Sequence, residues 1–226
     1  MKQLLLALIL FFPLAADAQE RKTYPFEKLY QELDTMSVER RTQVEANIKN
    51  QEEKLQKEQV KSIGGIPFGT SKDKALPILK MKYGEPYIGP SGLDLLFHSV
   101  SYAGMRFDNV VFSFQSDGVN TYFNNCIFGK NAKTFSEALD IEKDFADRLS
   151  EKYTMMHRIP DQNGNSMHVC GISPFWNGKL KDLSTDDNMA IHTSIIESER
   201  SVELSTGVKY IVRLIYGSYN YVKEEF

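Results

Sequence analysis

The sequence predicts an α+β fold: an antiparallel sheet covered by helices and preceded by a charged helical arm. Three observations point there. A Glu-, Lys- and Gln-rich segment from Tyr24 to about Lys61 repeats its apolar residues at spacings near three and four, the period of a helix. Segments rich in Val, Phe, Tyr and Ile, broken by Gly, Asn and Asp, read as strands. Between them Thr134-x-x-Glu137 opens a second helix, so helices and strands come in blocks, as an antiparallel sheet requires.

The chain opens with Lys2 and an apolar run from Leu4 to Phe12, stopped by Pro13 and followed by Ala16-Asp17-Ala18. That is the order of a secretory signal peptide, residues 1–18, cut between Ala18 and Gln19. A membrane-spanning helix would need roughly 20 apolar residues, about twice this run. No Cys stands near the cut to accept a lipid, and no later stretch is apolar enough to span a bilayer. A soluble exported chain without a transmembrane segment, periplasmic or secreted, is expected.

Residues 19–63 read as the charged arm. Leu29, Leu33, Met36, Val44, Ile48 and Leu55 form one thin apolar stripe, and Asp34-Thr35-Met36-Ser37 divides it, because these residues favour caps and Ser37 can restart a helix. Such a stripe suits packing along a domain or against a partner helix.

Residues 64–226 read as the α+β domain. Gly64-Gly65-Ile66-Pro67-Phe68-Gly69 predicts a hinge. Thr70-x-x-Asp73 then starts a helix with Ala75, Leu76, Leu79 and Tyr83 on its apolar face, ended by Gly84 and Pro86; Pro77 predicts a kink or a later start. Leu95 to Ala103, Arg106 to Gln115 and Val119 to Phe128 form a three-stranded meander with Asp117-Gly118 at a tight hairpin. In its middle strand Phe107 has the opposite parity to Val110, Phe112 and Phe114, so a bulge or bend is expected at Asp108-Asn109. After the Thr134 cap, Ala138, Ile141, Phe145 and Leu149 predict a helix to about Lys152 that covers the sheet. Further strands are predicted at Tyr153 to Ile159, Met167 to Ile172, Met189 to Ile196 and Val208 to Tyr216. Lys82-Tyr83 and Lys152-Tyr153 close the two helices alike, so 64–130 and 131–226 could be a degenerate repeat; one continuous sheet explains the same order without duplication.

Composition excludes more than it assigns. A hydrophobic share of 42% suits a packed core, and a net charge of -3 offers no basic footprint, so no nucleic-acid partner is expected. An oxidising compartment would permit a disulfide between Cys126 and Cys170, closing about 45 residues for roughly 4 kcal/mol at most; two separate buried thiols are the alternative.

No motif for catalysis, metal or cofactor survives inspection. Gly64 and Gly69 have phosphate-loop spacing, but the lysine after Gly69 is missing and Pro67 removes a backbone donor. Gly171-Ile172-Ser173 begins like a nucleophile elbow, yet Phe175 occupies the place of its second glycine. His168-x-Cys170 offers two ligands where structural zinc needs four, and Asp161-x-Asn163-x-Asn165 lacks the closing Glu of a calcium loop. Phe175 and Trp176, two large aromatics in a turn-prone segment, are the candidate contact surface; folding back to seal the core is the alternative. Sugar stacking on Trp176 and nearby tyrosines would require those rings to be exposed.

The run Ile66-Pro67-Phe68-Gly69-Thr70-Ser71, the helix ending Tyr83-Gly84-x-Pro86, and the strands holding Tyr102-x-Gly104-x-x-Phe107 and Phe112-x-Phe114 resemble a type of exported bacterial α+β protein. They are distantly similar to the envelope modules of the β-lactamase-inhibitor and outer-membrane-assembly lipoprotein kind. The resemblance covers roughly Ile66 to Tyr153 and implies a helix-plus-antiparallel-sheet fold; the acylated cysteine of the lipoproteins is absent. The expectation is a non-enzymatic module binding a protein or another surface component, with an exported hydrolase as the alternative.

Overall fold

A computed structural model describes residues 30, 33, 35–160, 166–180, 183, 188–217, 219 and 221; residues 1–18, the Ala18–Gln19 bond and the Asp161 to Asn165 segment lie outside them. Its class is α+β. After helical positions at Tyr30 and Leu33, α1 runs Val38–Lys57 from an extended Ser37, where the sequence places the restart. Val44, Ile48 and Leu55 are its buried residues.

The glycine break proves to be a hairpin rather than a hinge. β1 (Ser62–Ile63) and β2 (Ile66–Pro67) pair antiparallel around Gly64 and Gly65, whose φ of 63° and 86° match the two-residue turn that needs left-handed backbone at both positions. Helix α2, Lys72–Tyr83, contains Pro77 and ends at Gly84. Next come β3 (Tyr87–Ile88), β4 (Asp94–Tyr102), β5 (Met105–Ser116) and β6 (Thr121–Ala132). Helix α3, Phe135–Ser150, is capped as its sequence predicts: Glu137 N donates to Thr134 Oγ1 at 3.2 Å, and Lys133 N donates to the Glu137 carboxylate at 2.8 Å. Strands β7 (Met155–Pro160), β8 (Ser166–Ile172) and β9 (Met189–Glu197), helix α4 (Arg200–Thr206) and β10 (Tyr210–Gly217) complete the order. The short β3 and α4 were not foreseen.

Strands β3 to β10 make one eight-stranded antiparallel sheet in the order β3-β4-β5-β6-β10-β9-β8-β7. Each half runs a helix and then four strands in sequence, and the halves join through their last strands, β6 beside β10. The matching Lys-Tyr pairs take the same geometry, Lys82 Nζ lying 5.4 Å from the Tyr83 ring centre and Lys152 Nζ 4.9 Å from that of Tyr153.

Helices α2 and α3 pack on one face of this sheet through Ala75, Leu79, Ala138, Phe145 and Leu149. Aromatic rings fill the space beneath them. Phe128 is central, its centroid 4.6 Å from Tyr102, 4.9 Å from Phe107 and 5.8 Å from Tyr216. Phe107 reaches this core together with Val110 and Phe112 because the strands distort at the expected place. The β4–β5 ladder skips Ser99 and Asp108, Ser99 adopts φ 55°, and the Asp108 carboxylate accepts the Asn131 amide at 2.7 Å. Gly217 is obligatory: its φ is 88°, and a Cβ there would stand 2.4 Å from the Asn124 carbonyl oxygen.

The same register separates the two cysteines. Cys126 pairs with Tyr216, Tyr216 with Ile191, and Ile191 with Cys170. Three strand spacings put the cysteines roughly 14 Å apart, about twice the Cα separation a disulfide can bridge. Both are free, buried thiols, so the bridge that the compartment would permit is not formed. Burial pushes the Cys126 thiol well up; burial and then Glu58 push Cys170 up to about 12.

Candidate binding surface

The face of the sheet away from α2 and α3 is defined by one lateral row. Successive pairings align Tyr87, Leu96, Val111, Ile127, Ile215, His192 and Val169 across β3, β4, β5, β6, β10, β9 and β8. Directly paired residues share a face, so this is a single stripe. At the β8 end it is covered. Val169, Ile172 and Met189 form a second core with Val44, Ile48 and Leu55 of α1 and with Trp176, Leu180 and Leu183 of the β8–β9 connection. Polar contacts fix this cover: Leu180 N donates to Glu52 Oε1 at 3.1 Å, and Trp176 Nε1 donates to the Lys179 carbonyl at 2.9 Å.

Over the other strands no described element covers the row. Leu96, Val111, Ile127 and Ile215 are half-buried, and Tyr87 at the sheet edge is 62% exposed. Ile196 and Ile211, paired with each other, add two more half-buried aliphatics to this face. A polar row runs alongside through His98, Asn109, Gly129, Arg213 and Ser194. In it His98 Nδ1 and Asn109 Oδ1 are 2.7 Å apart, and Arg213 Nε donates to Ser194 Oγ at 3.0 Å. An apolar stripe flanked by ordered polar groups matches the anatomy of a protein-binding face.

The aromatic pair singled out from sequence is split. Trp176 is 4% exposed and belongs to the second core, whereas Phe175 is 60% exposed. Phe175 meets Tyr219 and Tyr221 edge-on, with centroids 5.4 Å away in both cases, and Tyr221 stacks on Tyr122 of β6 at 5.9 Å. With Trp176, Tyr216 and Tyr219 all buried, the exposed sugar-stacking platform is ruled out. Tyr221 is held by its amide, which donates to Gln115 Oε1 at 2.8 Å, and burial pushes its hydroxyl up to about 12. Serine at the would-be nucleophile position is 1% exposed, and Ser173 Oγ accepts the Phe175 amide at 3.2 Å.

One polar constellation escaped sequence reasoning. Glu142 of α3 is buried, and its Oε1 lies 2.5 Å from His168 Nδ1 and accepts from Thr193 Oγ1 at 2.6 Å. A helix is thereby tied to β8 and β9. The signal was available: Glu142 stands four residues after Ala138 and three before Phe145, inside the apolar face. A groove of about 730 Å³ lies by α1, on the opposite side of the sheet from this constellation, and the described residues of its lining, which include Tyr30, Arg41, Glu45, Lys49 and Glu52, hold no His, Cys, Ser or Thr. Among the described residues no group of three His, Cys, Asp or Glu is placed to hold a metal; His168 is engaged by Glu142, and the raised Cys170 thiol disfavours the thiolate a metal would need.

Among the described residues no helix is long and apolar enough to cross a membrane. No family model, curated protein or solved structure matches this chain.

Proposed function

We propose that the chain is an exported envelope protein that binds another protein, or another surface component, through the uncovered face of its sheet, without catalysing a reaction. The observation that carries this reading is the row Tyr87, Leu96, Val111, Ile127 and Ile215, left half-open on five adjacent strands while its continuation at Val169 is sealed. Contiguous apolar surface of this kind is costly to keep bare and marks interaction sites. The leader of residues 1–18 supplies the compartment in this reading. The test is crosslinking capture of the mature protein from envelope extract, comparing the native chain with Ile127→Asp. A partner recovered with the native chain and lost with the variant supports the reading. Recovery of the same proteins with both, or of none, counts against it.

Glu142 and His168 favour a second reading, an exported hydrolase, because a buried carboxylate orienting an imidazole is the supporting half of a general base. Turnover of a panel of ester and amide substrates that is abolished by His168→Ala in a folded protein would establish it.

A further inference from the structure

The outward side of α2 is unusual for a helix at a protein surface. Ala75 and Leu79 face the core, while Pro77, Ile78 and Met81 are exposed, Met81 at 86%. At about 100° per residue, Pro77 and Met81 fall within about 40° of the direction opposite Ala75 and Leu79, with Asp73, Lys74 and Lys80 beside them and Ile78 on the flank. Ile88, exposed on the edge strand, pairs with Leu95 and so lies on the sheet face that α2 covers. The helix carries four lysines, at 72, 74, 80 and 82, against one acid, Asp73, in a chain whose net charge is -3. Lys72 Nζ and Lys82 Nζ donate to the neutral Gly92 and Gly64 carbonyls, and Lys80 pairs with Glu85 at 2.7 Å.

We infer that this face of α2 docks the protein, weakly and reversibly, on an anionic lipid surface. Ile78 and Met81 enter the boundary between headgroups and acyl chains, and the lysines meet the headgroup charge. A second copy is the poorer occupant, because a two-fold contact would set one lysine-bearing face against another. The inference stands apart from the sheet-face reading, which uses different residues.

The test labels Met81→Cys with an environment-sensitive fluorophore; Cys126 and Cys170 are buried and take no label in the native protein. Vesicles of equal parts phosphatidylglycerol and phosphatidylcholine are compared with pure phosphatidylcholine. A blue shift confined to the anionic vesicles, lost in about 1 M salt and weakened about ten-fold by Ile78→Glu, supports docking. Val119→Cys, at a position 89% exposed in the β5–β6 turn, should carry an unshifted label. Four outcomes would overturn the inference: no shift, an equal shift on neutral vesicles, an equal shift of the Val119 label, or a protein-concentration-dependent shift without lipid. Ile127→Asp should leave vesicle binding unchanged, which separates this result from the fate of the sheet-face reading.

Discussion

Val169 and Ile127 stand in one lateral row of the same sheet, three strands apart, yet Val169 is fully buried and Ile127 half-open. Both are β-branched, both point away from α2 and α3, and neither strand pattern announces the difference. What differs is the cover: the stripe of α1 and the Trp176 connection close over β8, and no described element covers the row on β3 to β6 and β10. The two regions show how one face of a sheet is core at one end and half-open at the other. The halves share a topology, so the asymmetry comes from what was added to one of them.

The strongest way to break this comparison is to place a charge at each end of the row. Val169→Asp buries an unpaired carboxylate and should cost about 4 kcal/mol or prevent folding, whereas Ile127→Asp should cost about 1 kcal/mol in denaturant titration and remove partner binding. Equal losses would mean that the Ile127 end is covered too. Trp176→Ala should cost about 3 kcal/mol by opening the second core, while Phe175→Ala should cost about 0.5 kcal/mol and act on binding. Glu142→Leu strips an acceptor from His168 and Thr193 and should cost about 2 kcal/mol; Glu142→Gln should recover part of it, because the amide oxygen still accepts from Thr193.

Alkali gives a smaller, graded effect. Burial raises the Tyr83 hydroxyl from 10.0 to about 12, with Cys126 and Tyr102 adding to it, and raises Tyr221 to about 12. In the unfolded chain these protons leave first, so between pH 10 and 12 the native state binds more protons and its stability falls as pH rises. Phenolate absorbance should therefore lag behind that of the denatured chain until the fold opens. The smallest change concerns the thiols. Non-reduced protein should give two reactive thiols when denatured and none rapidly when native; absence of thiols in the denatured sample would require a sheet register other than the one described.

Much of the fold was legible because its signals are local. Ser37 and Thr134 with Glu137 mark helix starts by residue type, and the run from Met189 to Ile196 marks a strand by its apolar, β-branched composition. The odd parity of Phe107 announced the distortion at Asp108 before any partner strand was known. β3 was missed because a two-residue strand has no period, and α4 because seven mostly polar residues with no buried side chain present no apolar face. The Gly64-Gly65 hairpin was misread because a glycine pair marks a turn without saying whether its flanks pair.

The candidate surface was hardly legible at all. Tyr87, Leu96, Val111, Ile127 and Ile215 are scattered over more than half the chain, and only the sheet order β6-β10 brings the halves of the row together. Trp176 and Phe175 are adjacent and both aromatic, and only long-range packing in the second core decides which of them is buried.

By itself the sequence determined the α+β class, the period and ends of the main elements, the stripe of α1 and the absence of a basic footprint, because each depends on neighbours within a few residues. Tertiary structure decided the rest. It set Cys126 and Cys170 three strands apart, turned Glu142 into a clamp on His168 and Thr193, and covered one end of a continuous apolar row while leaving the other open. Those outcomes depend on which strands become neighbours and which helix lies over them, and a linear chain fixes neither until long-range pairing and burial have set the register.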